Sequence, residues 1–309
     1  MSPLARAVQD YLRLRRAVGF QLRDAGRALV RFVAFLDDQE ASTITIPLAL
    51  RWAQATSSGP AQAAWRLSCV RAFARYWSAT DPRTEIPPWG LLPAPAHRPR
   101  PYLYTDEEIG RLLDAARNLP PVGRLRGWTY ECLLGLLSVT GLRVSEALRL
   151  RPDDVDWADG VLTIHGTKFG KSRLVPLHAS TLTALAEYAR RRDRALAGRP
   201  ASCFFMSERG RPLESSTVRR SFYWLSRQTG LRGRHASHGP RLHDFRHRFA
   251  VQTLVQWYRA GQEVERRLPV LSTYLGHGHL RDTYWYLTAC PELLGLATTR
   301  LEQRWEEPS

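Results

Sequence analysis

Over the first eighty residues, apolar positions recur at helical spacing. Val8, Tyr11, Leu12 and Leu14 stand among arginines between Leu4 and Val18. A second run holds Leu29, Val30, Phe32, Val33, Phe35 and Leu36, with Asp24 as its expected N-cap. Pro47-Leu48-Ala49-Leu50-Arg51-Trp52 opens a third helix. Gln62 to Ala79 forms a fourth, with Trp65, Cys69, Val70, Phe73 and Trp77 on one side and Arg66, Arg71 and Arg75 mostly facing elsewhere. The pattern predicts a small helical bundle with a basic face. For any single arginine the plainer reading, a solvated helix surface, is favoured.

The periodicity stops near residue 81, where Pro82, Pro87, Pro88, Pro93, Pro95, Pro99 and Pro101 dominate. Proline-rich chain is extended and semi-rigid. The expected division is therefore an N-terminal helical domain over 1–86, a linker over 87–101 and a second domain over 102–309. His97-Arg98-Pro99-Arg100-Pro101 makes the end of that linker basic, suited either to a phosphate backbone or to a plain spacer.

In the second domain, Thr105 with Glu108 three residues on reads as a capping box opening a helix. Trp128 to Val139 is an apolar helix stopped at Gly141. Val161–Ile164 and Arg173–Leu177 read as two strands joined by a glycine-containing turn, and Pro176 marks the second as an edge strand. Helices follow around 180–197 and 214–229, another starts near Pro240, and the tail from Pro291 to Trp305 is amphipathic. The fold class expected is mainly α with a small antiparallel β-sheet.

Composition adds a partner. The chain of 309 residues is 44% hydrophobic with ten tryptophans, enough for packed cores, and carries a net charge of +16. A globular chain this basic points to a polyanion, most simply a nucleic acid. Nearly all of the positive charge is arginine, whose planar fork holds two phosphate oxygens at once; Lys168 and Lys171 are the only lysines. Cys69, Cys132, Cys203 and Cys290 are scattered without a C-x-x-C pair, which argues against a zinc ribbon or a disulfide framework and fits a reduced, cytoplasmic setting. No apolar run reaches the roughly 18–20 residues of a membrane span.

Six separated residues carry the candidate chemistry: Arg143, Lys168, His243, Arg246, His277 and Tyr286. Arg143 follows the Thr140-Gly141 turn near a helix start, where anions are favoured; alone, it would more simply pair with Glu146. His243 and Arg246 are three apart and share a helix face. His243 with His247 also has the i, i+4 spacing of a zinc pair, but no third ligand is obvious. His277 lies in Leu275-Gly276-His277, and Tyr286 follows nine residues later, with Tyr284 as an alternative. A phenol has a pKa near 10, and a dense cationic pocket favours its phenolate. Lys168, or else Lys171, sits at the hairpin turn; a lysine can be tuned to donate a proton where an arginine cannot.

This ordered set, with the helical N-terminal region and the Thr105-Asp106-Glu107-Glu108-Ile109 opening, resembles the tyrosine recombinases, the phage integrase and Xer family. The resemblance implies a helical, SAM-like core-binding domain joined to an α+β catalytic domain that clamp double-stranded DNA. It implies cutting and rejoining of DNA through a 3′-phosphotyrosine, with no cofactor and no metal, by a tetramer on paired sites, and with accessory proteins as further partners. Integration and transposition are activities the family carries. Its C-terminal helix can dock on a neighbouring subunit, whereas the plainer reading here packs the tail on its own domain. Phe169 departs from the family's usual Gly-Lys-Gly turn, and the interval from Arg246 to His277 is long, which predicts extra helix or loop. Two other functions share the fold: a DNA-binding regulator without catalysis, and a type IB topoisomerase or telomere-resolvase-like enzyme.

Overall fold

A computed structural model of the chain describes residues 2–55, 59–93, 100–166, 172–236, 238–288 and 290–306. Its helices follow the apolar periodicity. In the first unit, Met1–Pro99, they are α1 (Pro3–Ala17), α2 (Arg23–Asp38), α3 (Ile46–Gln54) and α4 (Pro60–Trp77). Leu29, Phe32, Leu36, Val70 and Phe73 are almost wholly covered and form the middle of one core. Burying such a side chain contributes about 1.5–3 kcal/mol each. Two local expectations change. Asp24 does not cap α2: Leu22, in a left-handed conformation, precedes it, and Asp24 sits in the first turn, where its charge suits the helix dipole. Arg71 does not face solvent. It is 6% exposed, donates to the carbonyls of Pro87 (2.7 Å) and Pro88 (2.8 Å), and lies under the Trp89 ring. Glu85 is likewise tied to Ile44 and Ile46. Residues 85–88 therefore hydrogen-bond to the bundle.

The second unit, Arg100–Ser309, begins with α5 (Asp106–Arg117), and both halves of its Thr105/Glu108 capping box are formed. Then come α6 (Leu125–Thr140), the single turn α7 (Val144–Ala147), and strands β1 (Val155–Asp156), β2 (Val161–Ile164) and β3 (Arg173–Pro176). The sheet is antiparallel in the order β1-β2-β3, with Ile164 opposite Arg173 and Val161 opposite Pro176. Pro176 thus lies on an edge strand, where its missing N–H leaves no ladder bond unmade. β1 is a strand the alternation could not announce, because two residues carry no period. Helices α8 (Ala179–Leu196), α9 (Ser215–Gln228) and α10 (Leu242–Arg259) follow. α10 starts two residues after Pro240: Arg241 is its N-cap, and the Asp244 carboxylate accepts from the Arg241 backbone N–H at 2.8 Å. The long interval before His277 is filled by the rest of α10 and by α11 (Val264–Leu275). α12 (Arg281–Tyr284), a 3-10 turn (Trp285–Thr288) and α13 (Pro291–Glu306) close the chain.

Two apolar clusters support this unit. One joins α5, α6, α8, α9 and the sheet through residues such as Leu112, Leu133, Leu162, Leu185 and Phe222. The other joins α10, α11, the 285–288 turn and α13 through Leu254, Leu271, Tyr286 and Leu293. α13 packs in cis: Leu293 is buried, and Glu292 pairs with Arg259 of α10 at 2.5 Å.

Candidate active site

The C-terminal end of α11 organises the site. A helix end leaves carbonyls without intrahelical partners, and the dipole makes that end negative. Here three successive carbonyls are each taken by a different arginine. The Tyr274 carbonyl accepts from Arg173 Nε (2.7 Å), that of Leu275 from Arg246 Nη2 (2.5 Å), and that of Gly276 from Arg143 Nη2 (3.0 Å). The arginines come from β3, α10 and the residue before α7, far apart in sequence. Gly276 ends the helix at φ +66°, a left-handed conformation that suits glycine, and His277 follows immediately. Arg246 also donates to the carbonyl of Gly141 (2.9 Å), the left-handed residue that ends α6. It thereby spans two helix C-termini.

Glu146 supplies the counter-charge. It is 4% exposed and accepts from Arg143 Nη1 (2.7 Å) and its backbone N–H (3.0 Å), and from Arg173 Nη1 (3.2 Å) and Nη2 (2.8 Å). Burial by itself would raise the carboxyl's pKa, but the hydrogen bonds and charge of Arg173, with those of Arg143, outweigh it and hold it down at about 2. Arg246, 1% exposed, moves the other way: burial and then the neighbouring Arg143 charge lower it to about 10, so it remains protonated at neutral pH.

Beside this cationic group lie the imidazoles and the phenol. His277 Nδ1 is 2.7 Å from the Thr283 hydroxyl, and its ring stacks on Tyr286 with centroids 6.0 Å apart. Tyr286 is 2% exposed and also meets Trp285 and His247. His247 lies edge-on to His243 at 4.6 Å. His243 and Arg246 share the first turns of α10, with His243 exposed and Arg246 buried. No group of three or more His, Cys, Asp or Glu suited to a metal occurs among the described residues, so the His243/His247 pair gathers no third ligand there. Tyr284, two residues before Tyr286, is 46% exposed.

Arg143, Arg246, His277 and Tyr286 are thus gathered in one region, with His243 joined through His247. Lys168 and Lys171 fall outside the described residues. Arg173, His247 and Thr283 join the set without having been singled out as part of it. Arg173 read only as a strand residue, and His247 only as half of a zinc pair. Glu146 was legible as the partner of Arg143 three residues away.

The first unit has a separate basic feature. α2, α3 and α4 enclose a cleft of about 800 Å³ lined by Arg23, Arg27, Arg31 and Arg66 with Trp52 and Trp65. The Arg66 guanidinium stacks over Trp52 at 3.9 Å, and burial together with the Arg31 charge lowers its pKa.

The fold and this cationic site define a class, and comparison with known proteins agrees. Residues 103–292 match the model of the phage integrase family. The chain is 55% identical to the "Putative integrase/recombinase y4rB" of Sinorhizobium fredii over 99% of both chains. It is 29% identical to the tyrosine recombinase XerC of Chlamydia caviae over 72% of this chain and 65% of that one. Among solved structures, the fold resembles the Tn1549 transposon integrase in complex with transposon right end DNA (TM-score 0.69, 16% identity, covering 98% of this chain and 99% of that one). It also resembles the lambda integrase tetramer bound to a Holliday junction (TM-score 0.62, 20% identity, 92% and 76% coverage). The chain belongs to the phage integrase family, the tyrosine recombinases, and so is an enzyme that cuts and rejoins DNA.

Proposed function

We propose that this recombinase breaks one DNA strand with Tyr286 as nucleophile and with Arg143, Lys168, His243, Arg246 and His277 as the groups that serve the phosphate. The observation that carries the reading is the stacking of Tyr286 on His277, beside a helix end where Arg143 and Arg246 converge. The phenol gives up its proton to water, its oxygen attacks phosphorus, and the bond to the 5′-oxygen breaks. A 3′-phosphotyrosine forms, and the 5′-hydroxyl leaves with a proton. Among the described residues Arg143 spends two of its five side-chain N–H groups, and it keeps 29% exposure, so it has donors for non-bridging oxygens. Arg246, buried between two helix ends, stabilises developing charge through its field. His243 and His277 donate hydrogen bonds, and Lys168 gives the proton to the departing oxygen. Rejoining reverses these steps with a different 5′-hydroxyl, so the phosphodiester energy stays in the covalent bond.

Tyr286 is covered by Trp285, His247 and His277, and attack requires the 285–288 turn to shift when DNA engages. The 1–86 bundle, with its Arg- and Trp-lined cleft, grips the duplex backbone; residues 87–101 link it to the catalytic domain, 102–309. Synapsis of two sites uses four protomers and takes place in the cytoplasm. A denaturing gel on nicked duplexes selected for binding tests the assignment. A covalent adduct lost in Tyr286→Phe and kept in Tyr284→Phe is expected. Loss in Tyr284→Phe alone moves the nucleophile, and tight binding without any adduct turns the reading toward a regulator.

A further inference from the structure

Arg173 stands outside the six-residue set, yet it holds what that set is mounted on. We propose that Arg173 is a positioning residue for strand cleavage: its guanidinium locks the Glu146 carboxylate and the Tyr274 carbonyl, and so fixes how Arg143 faces the scissile phosphate. The inference rests on the reading of Arg143 given above.

Three observations carry it. Arg173 is 8% exposed in its side chain and binds in two directions at once, Nε to the Tyr274 carbonyl (2.7 Å) and Nη1 and Nη2 to the two oxygens of Glu146 (3.2 and 2.8 Å). One edge of a planar fork can do this while its Nε serves a third acceptor; an ammonium cannot. Next, Glu146 is shared. Each of its oxygens takes one donor from Arg143 and one from Arg173, which fills a carboxylate's roughly four acceptor positions. With both arginines the trio keeps a net positive charge. Without Arg173, Glu146 would neutralise Arg143 alone and be free to turn with it. Finally, the turn into His277 is fitted around Arg173: a Cβ on Gly276 would lie 2.9 Å from Arg173 Nη1. The same guanidinium thus sets both the carboxylate that aims Arg143 and the helix end whose Gly276 carbonyl holds Arg143 Nη2 (3.0 Å).

The test compares single-turnover cleavage of a nicked, binding-selected duplex whose scissile group is either an ordinary phosphate or a methylphosphonate. The methyl group replaces a non-bridging oxygen and removes the negative charge that Arg143 would meet. Wild type, Arg143→Ala, Arg173→Gln and Arg173→Lys are measured, with DNA affinity recorded for each. Arg173→Gln is expected to cleave the ordinary phosphate about 100-fold more slowly, the scale of a small misplacement of a reacting group, with affinity unchanged. Its deficit should shrink on the methylphosphonate, as that of Arg143→Ala should, and Arg173→Lys should not restore the ordinary rate. An Arg173→Gln deficit equal on both substrates, with Arg143→Ala relieved, overturns the inference and leaves the reading of Arg143 standing. An Arg143→Ala deficit that does not shrink overturns both. If circular dichroism finds Arg173→Gln unfolded, Glu146→Gln, which keeps the shape, tests the same link, and relief on the methylphosphonate is again the supporting result.

Discussion

Glu146 shows at the scale of one residue how this site balances charge. A buried carboxylate is costly unless it is paired, and pairing with two arginines favours its charged form over its neutral one. Its folded pKa of about 2 lies below its ordinary value of 4.5. It therefore stabilises the fold fully above the unfolded-state pKa, and that stability is lost as pH falls through about 2. The 2.5-unit difference corresponds to on the order of 3 kcal/mol. Urea unfolding of wild type and Glu146→Gln should thus differ most at pH 6–7 and converge as pH drops below about 4. A gap that stays constant from pH 6 to pH 2 would refute the pairing. The same scale separates the two tyrosines: their two-residue spacing makes them near equals in sequence, but one is covered beside the cations and the other is 46% exposed.

Elements translate such residues into position. The end of α11 gathers three arginines because its last carbonyls need donors, and Gly276 permits the chain to turn there. Gly276→Ala strains a positive φ and crowds Arg173, so cleavage is expected to fall steeply while the melting temperature falls by only a few degrees. An unchanged cleavage rate would show that the turn does not aim the site. At the opposite kind of helix end, Thr105→Ala removes the hydroxyl that accepts from the Glu108 N–H and should cost about 1 kcal/mol of stability. Because α5 carries none of the six residues, the DNA-cleavage rate at low temperature should be unaffected. Elements with a period or a cap were read directly: α1, α5, α6, β2 and β3 lie where the pattern put them. α2 also follows its period but begins without the expected Asp24 cap, and β1, of two residues, carries no period to read.

For the whole molecule, the separation of the cores matters. Each unit has its own apolar cluster, and residues 100–309 hold two. A fragment spanning them is expected to unfold cooperatively by calorimetry while binding DNA more weakly than the full chain; a broad, non-cooperative melt would contradict a self-sufficient unit. The net charge of +16 predicts a steep loss of DNA affinity with salt. Each phosphate contact removed from the first unit's cleft, by Arg27→Ala or Arg31→Ala, should reduce the slope of log K against log salt by about 0.9. No change in slope would mean that the cleft does not meet the backbone. Among the described residues no helix is long and apolar enough to cross a membrane.

Sequence alone determined the helical periodicity, the edge strand and the basic character, because each is encoded by local spacing, turn chemistry or residue type, and it nominated six candidate residues through their resemblance to a family. Tertiary structure decided which cations share a partner. Arg173 looks in the chain like dozens of other arginines, and nothing local joins it to Arg143 and Arg246. What unites the three is that elements up to 133 residues apart each bring one arginine to the same row of helix-end carbonyls. Hydrogen bonding between groups so far apart is a property of packing, and no local pattern records it.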